Sequence, residues 1–76
     1  DMAIYPNPAN DVLNVSFSGK YENVNWILYN ACGQIVKRSS EQTNSFEIKL
    51  NEINGGIYFL NLDVDGKQMM KKIVVE

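Results

Sequence analysis

The chain contains no histidine, and this removes most of the chemistry a small domain could perform. Without an imidazole there is no Ser-His-Asp or Cys-His arrangement to activate a nucleophile, and the commonest metal ligand is missing. The single cysteine, Cys32, stands beside Gly33 in a stretch that reads as a loop. No base accompanies it, and it has no intrachain partner for a disulfide, so it is read as a structural or incidental thiol. Asp63-Val64-Asp65-Gly66 carries a fragment of a calcium-loop pattern but lacks the remaining ligand positions and the closing glutamate. Turn formation accounts for the same four residues. The other carboxylates are scattered, and no acid/base pair can be named. No catalytic residue, no cofactor site and no metal site is assigned, and an enzyme is not expected.

Binding chemistry is equally sparse. Asn14-Val15-Ser16 matches the N-glycosylation sequon, yet Asn14 falls in the middle of an expected strand. Trp26 with Tyr5, Tyr21, Tyr29 and Tyr58 would suit a sugar-stacking platform, although aromatics in so small a domain belong more often to the core. Net charge is −2 with no long basic run, which argues against nucleic acid or an anionic membrane surface as partner. Lys71-Lys72 is too small a pair for a nucleic-acid patch, and alternation puts one lysine on each face of a strand, where edge charges discourage strand addition.

The elements that carry these residues are β throughout. Ala3-Ile4-Tyr5 is a brief strand stopped by Pro6-Asn7-Pro8, a rigid corner that removes two backbone donors. Val12–Phe17 alternates, with Leu13, Val15 and Phe17 on one face. Val24–Asn30 is apolar on both faces, as a central strand would be. Asn30-Ala31-Cys32-Gly33 forms a hairpin loop with Gly33 at an αL position, and Gln34–Arg38 returns. Ser39–Asn44 is polar and reads as the most mobile loop. Phe46–Leu50 alternates cleanly. The Gly55-Gly56 pair leads into Tyr58, Leu60, Leu62 and Val64, Asp65-Gly66 supplies a type I′ turn, and a last strand runs from Gln68 through Ile73-Val74-Val75. About seven short strands at spacings of roughly ten residues predict one all-β antiparallel sandwich over residues 1–76. The inward set is Leu13, Val15, Trp26, Leu28, Ile48, Leu50, Tyr58, Leu60 and Leu62.

The order of the motifs carries a resemblance. Tyr5-Pro6-Asn7-Pro8-Ala9 comes first, then Leu28-Tyr29-Asn30…Gly33-Gln34-Ile35-Val36, then Leu50…Gly56-Ile57-Tyr58-Phe59-Leu60, and last Lys72-Ile73-Val74-Val75. From Ile4 to Glu76 the chain resembles the type A C-terminal sorting domain of the type IX (Por) secretion system of Bacteroidota. Cys32 in the hairpin loop and the extra Gly55 are the nearest departures.

The resemblance implies an Ig-like sandwich at the C-terminus of a longer exported protein, from which the 76 residues are a piece. It implies a non-catalytic secretion signal. The cargo reaches the periplasm, and the folded domain is recognised by the outer-membrane translocon. A sortase-like peptidase then commonly removes it as the cargo is attached to the cell surface or released. The signal residues it implies are Pro6, Asn7, Pro8, Gly33, Gly56, Tyr58, Lys72, Ile73, Val74 and Val75. Partners are the translocon, the peptidase and the upstream cargo domain, with no nucleic acid and no cofactor. Exposed edges in a small sandwich also invite pairing of two copies into a homodimer. The competing expectation is a carbohydrate- or protein-binding module using Trp26 or the tyrosines.

Overall fold

Alternation of apolar and polar residues builds the molecule. In the computed structural model, which describes residues 2–19 and 23–76, seven strands follow one another. They are β1 Met2–Tyr5, β2 Val12–Phe17, β3 Val24–Asn30, β4 Ile35–Glu41, β5 Ser45–Lys49, β6 Gly56–Val64 and β7 Lys67–Val75. Every strand pairing is antiparallel. One sheet has the order β1-β2-β5 and the other β4-β3-β6-β7, so the chain folds as a sandwich of three strands against four. The fourth strand lies beside the third. In an immunoglobulin constant-type sandwich it would lie beside the fifth.

The inner faces make the core. Leu13, Leu28 and Leu60 are wholly buried, and Val15, Trp26, Ile48, Leu50, Tyr58 and Leu62 are buried with them, so the whole expected inward set faces in. The register explains why they meet. Leu13 is paired with Ile48 across the first sheet, and Leu28 with Leu60 and Trp26 with Leu62 across the second. Ala9, Phe17, Val24, Val64, Ile73 and Val75 complete the core. The Trp26 indole N–H donates to Glu41 Oε2 at 3.1 Å, which satisfies its polar atom at the core's margin.

Both expected turns carry the backbone their glycines allow. Asp65 and Gly66 have φ of 50° and 89°, as a type I′ turn needs, and Gly33 has φ of 84°. The segment from Ser39 differs from expectation. Ser39, Ser40 and Glu41 continue β4 rather than opening a loop, because β3 is long enough to pair with them as far as Val24–Glu41. Their polarity reflects exposure at a sheet edge, and a polar edge strand reads like a loop when only residue type is visible. Tyr21, read above as an aromatic candidate, lies outside the described residues.

The sandwich has two open flanks. On the β4–β5 side, Lys37 Nζ reaches across from one sheet to donate to the Lys49 carbonyl of the other at 2.7 Å. The flank between β1 and β7 is closed differently, and only at one end.

Candidate functional site

Pro6 and Pro8 carry no backbone N–H, so within this corner only Asn7 and Ala9 can donate to a neighbouring strand. Both do so. Asn7 Nδ2 donates to the Lys72 carbonyl at 3.0 Å, and Asn7 Oδ1 accepts from the Val74 N–H at 3.0 Å. The side-chain amide therefore takes the place of a peptide group along the outer edge of β7. One step on, the Ala9 N–H donates to the Val74 carbonyl and the Glu76 N–H donates to the Ala9 carbonyl, each at 2.8 Å. Ala9 forms a parallel bridge with Val75 and is wholly buried, whereas Asn7 stays at the surface. The corner thus joins the two sheets: it leaves β1 in one and fastens to the last strand of the other. Both prolyl bonds, Tyr5–Pro6 and Asn7–Pro8, are cis.

This latch uses the outward backbone groups at the end of β7. The Lys72 carbonyl, both Val74 groups and the Glu76 N–H are occupied. The last residues therefore do not offer a bare edge to a partner. What they present is side-chain surface: Lys72 is exposed, Val74 is half-buried, and Ile73 and Val75 point into the core.

The other signal candidates gather at the same end of the four-stranded sheet. Asn30, Tyr58 and Ile73 lie in one register row across β3, β6 and β7, and Gly56 is paired with Val75. Tyr58 is buried, and its hydroxyl donates to the Asn54 carbonyl four residues upstream at 2.6 Å, the arrangement of a tyrosine corner. A Cβ on Gly55 would come within 3.2 Å of the Val75 carbonyl, so this glycine permits the loop to approach the last strand closely. The Gly33 loop is organised by Asn30, whose Oδ1 accepts from the N–H groups of Cys32 at 2.9 Å and Gln34 at 3.0 Å. Sequence reasoning placed Ala9 and Asn30 within motifs but gave neither a role. A small residue straight after Pro-Asn-Pro, and an asparagine three positions before a loop glycine, were the available signals.

The remaining candidates have structural occupations. Asp63 Oδ1 accepts from the Gly66 N–H and Asp65 Oδ1 from the Asn23 N–H, each at 2.8 Å, so both carboxylates hold the β6–β7 turn in place. Asn14 sits in the central strand of its sheet and donates to the Tyr5 carbonyl at 3.3 Å. Cys32 is exposed in its loop. Trp26 and Tyr58 belong to the core and cannot form a stacking platform; Tyr29 is half-buried and Tyr5 exposed, in different sheets. Lys71 and Lys72 point to opposite faces of β7, as alternation requires, and both are exposed.

Residues 3–76 match the family described as the secretion system C-terminal sorting domain. The chain is 35% identical over 60 residues to beta-agarase A of Zobellia galactanivorans, a match that takes in 79% of the chain and 11% of that enzyme. The chain therefore spans about a ninth of the curated relative's length. Among solved structures it is similar to PorZ, an essential surface component of the type IX secretion system of Porphyromonas gingivalis, with a TM-score of 0.74 at 16% identity. That likeness, which concerns the fold, extends over 99% of the chain and 11% of PorZ.

Proposed function

Because the chain belongs to the family of secretion system C-terminal sorting domains, we propose that it works as one domain of a longer exported protein, whose cargo it directs through the outer-membrane type IX translocon. It is a sorting domain and not an enzyme. The cargo passes the periplasm first, the domain is read in its folded state, and a sortase-like peptidase then removes it as the cargo is released or attached to the cell surface.

The observation that best supports this reading is the latch between the Pro6-Asn7-Pro8-Ala9 corner and Lys72–Glu76. A signal distributed over both ends of the chain becomes one continuous surface only when the domain is folded, which suits recognition of a folded cargo tail. Pro6, Asn7, Pro8, Gly33, Gly56 and Tyr58 set that surface, Ile73 and Val75 anchor it from the core, and Lys72 and Val74 present it.

A reporter with a periplasmic signal peptide, fused ahead of Asp1 and expressed in a bacterium with a type IX system, tests this. The unaltered fusion should reach the cell surface or the medium. Deleting Lys72–Glu76 should hold the reporter in the periplasm, with circular dichroism separating loss of fold from loss of recognition. Export of the truncated reporter at parental levels would refute the role given to the last strand.

A further inference from the structure

The latch leaves part of β7 bare. Its pairing with β6 is unbroken from Lys67 to Val75, so outward and inward backbone groups alternate strictly along it. Val74 and the Lys72 carbonyl face the Asn7 corner, and hence Gln68 and Met70 face the same way. Their N–H and C=O groups, with the Lys72 N–H, have no partner among the described residues. β7 is also the last strand of its sheet.

Two apolar surfaces meet at this bare stretch. On its inner side the flank between β1 and β7 opens as a cleft of about 350 Å³ lined by Met2, Ile4, Leu62, Met69, Met70 and Lys71. On its outer side Ile35, Tyr29 and Phe59 stand in one register row that runs on to Lys72, and Met70 borders a depression shared with Tyr29 and Phe59. Met70 is 60% exposed and Ile35 51%. An apolar row on the solvent side of an antiparallel sheet is uncommon without a partner.

Charge selects the partner. Lys67, Lys71 and Lys72 lie along the same strand, no carboxylate falls between Lys67 and Val75, and none of the three makes an ion pair among the described residues. Lysines on an edge repel another lysine-bearing edge, so a second copy of β7 laid against this one would set like charges together.

We propose that the bare edge Gln68–Lys72 accepts an extended acidic segment of a partner protein as an added strand. This rests on the sorting-domain reading and names the partner chemistry within it. Main-chain hydrogen bonds to Gln68, Met70 and Lys72 supply the register. Apolar side chains of the segment enter the Met2–Ile4–Met69 cleft on one face and extend the Tyr29–Phe59 row on the other. Its carboxylates meet the three lysines.

The test is a titration of the isotope-labelled chain, followed by amide NMR, with a short synthetic peptide of repeated Val-Val-Glu-Glu, which gives each face of an added strand both valines and glutamates. A valine–lysine peptide serves as the control. The acidic peptide should shift the Gln68, Met70 and Lys72 amides, slow exchange at Met70, and lose affinity as salt is raised. Met70→Pro removes an outward donor, which an edge strand tolerates, together with the Met70 side chain from both apolar surfaces, and should weaken binding by roughly tenfold or more, whereas Met70→Ala, which keeps the donor, should weaken it less. Should the proline variant fold poorly, Lys67→Glu/Lys71→Glu/Lys72→Glu carries the test, because it should reverse the preference between the two peptides. Equal binding of both peptides, shifts confined to β4 or β5, or absence of binding at millimolar peptide would each overturn the inference. So would shifts of the same amides with protein concentration alone, since a second copy would then be the occupant. The triple-glutamate chain is also tested for reporter export. Export at parental levels overturns the edge's role while leaving the sorting reading intact. Failure of the unaltered fusion to be exported removes the sorting reading instead.

Discussion

The Asn7 side chain and the Val74 backbone, 67 positions apart in sequence, are joined by a hydrogen bond of 3.0 Å from the Val74 N–H to Asn7 Oδ1. Together with the Asn7 Nδ2 bond to the Lys72 carbonyl, it makes one exposed amide the hinge pin between the two sheets. Asn7→Ala removes both bonds while leaving the apolar core untouched. At a solvated site each is worth about 0.5–1.5 kcal/mol net, so a loss of about 1–3 kcal/mol is expected. Chemical denaturation reads the loss, and faster amide exchange at Val74 than at Leu60 would place it.

Leu60 lies at the centre of the core, wholly buried on β6 and paired with Leu28. Leu60→Ala should destabilise the domain by about 2–5 kcal/mol, enough to unfold a chain this small. A thermal melt checks it. Retention of a cooperative transition within a few degrees of the parent would contradict the placement.

Tyr58→Phe isolates the tyrosine corner. The ring stays buried and only the hydroxyl that reaches the Asn54 carbonyl is lost. The expected cost is about 0.5–1.5 kcal/mol, with the fold retained. If the 50–55 loop is held chiefly by this bond, amide exchange in that loop should rise more than exchange in β6.

Cys32→Ser should change stability by no more than about 0.5 kcal/mol, the range for surface substitutions. The Asn30 Oδ1 bond goes to the backbone of residue 32, and the thiol takes no part in it. Denaturation midpoints of the two proteins, measured under reducing conditions, should coincide, and reporter export should be unchanged.

Lys37→Met tests the other flank. It keeps the aliphatic stem but removes the charge-assisted bond to the Lys49 carbonyl. A loss of about 1 kcal/mol or less is expected because the site is open to solvent. Raising ionic strength should narrow the difference between the two proteins, which paired urea titrations would show.

The strands, their facing and their turns were legible in the residues themselves. Leu13, Val15, Trp26, Leu28, Ile48, Leu50, Tyr58, Leu60 and Leu62 face inward as period-two alternation requires, and Asp65-Gly66 and Gly33 adopt the positive φ that their types favour. These are local consequences, since a strand one face of which is buried must alternate, and a tight hairpin must use residues that tolerate φ > 0. Tertiary structure decided the rest. Ser39–Glu41 became strand only because β3 offered it a partner, and residue type alone could not announce that. The pairing of Asn7 and Ala9 with Lys72–Glu76 depends on bringing the two ends of the chain together across the sandwich. Sequence could mark Pro6-Asn7-Pro8 and Ile73-Val74-Val75 as separate motifs. Only the packed sheets, which set the corner of one against the edge of the other, fastened them together and left Gln68–Lys72 as the stretch still open.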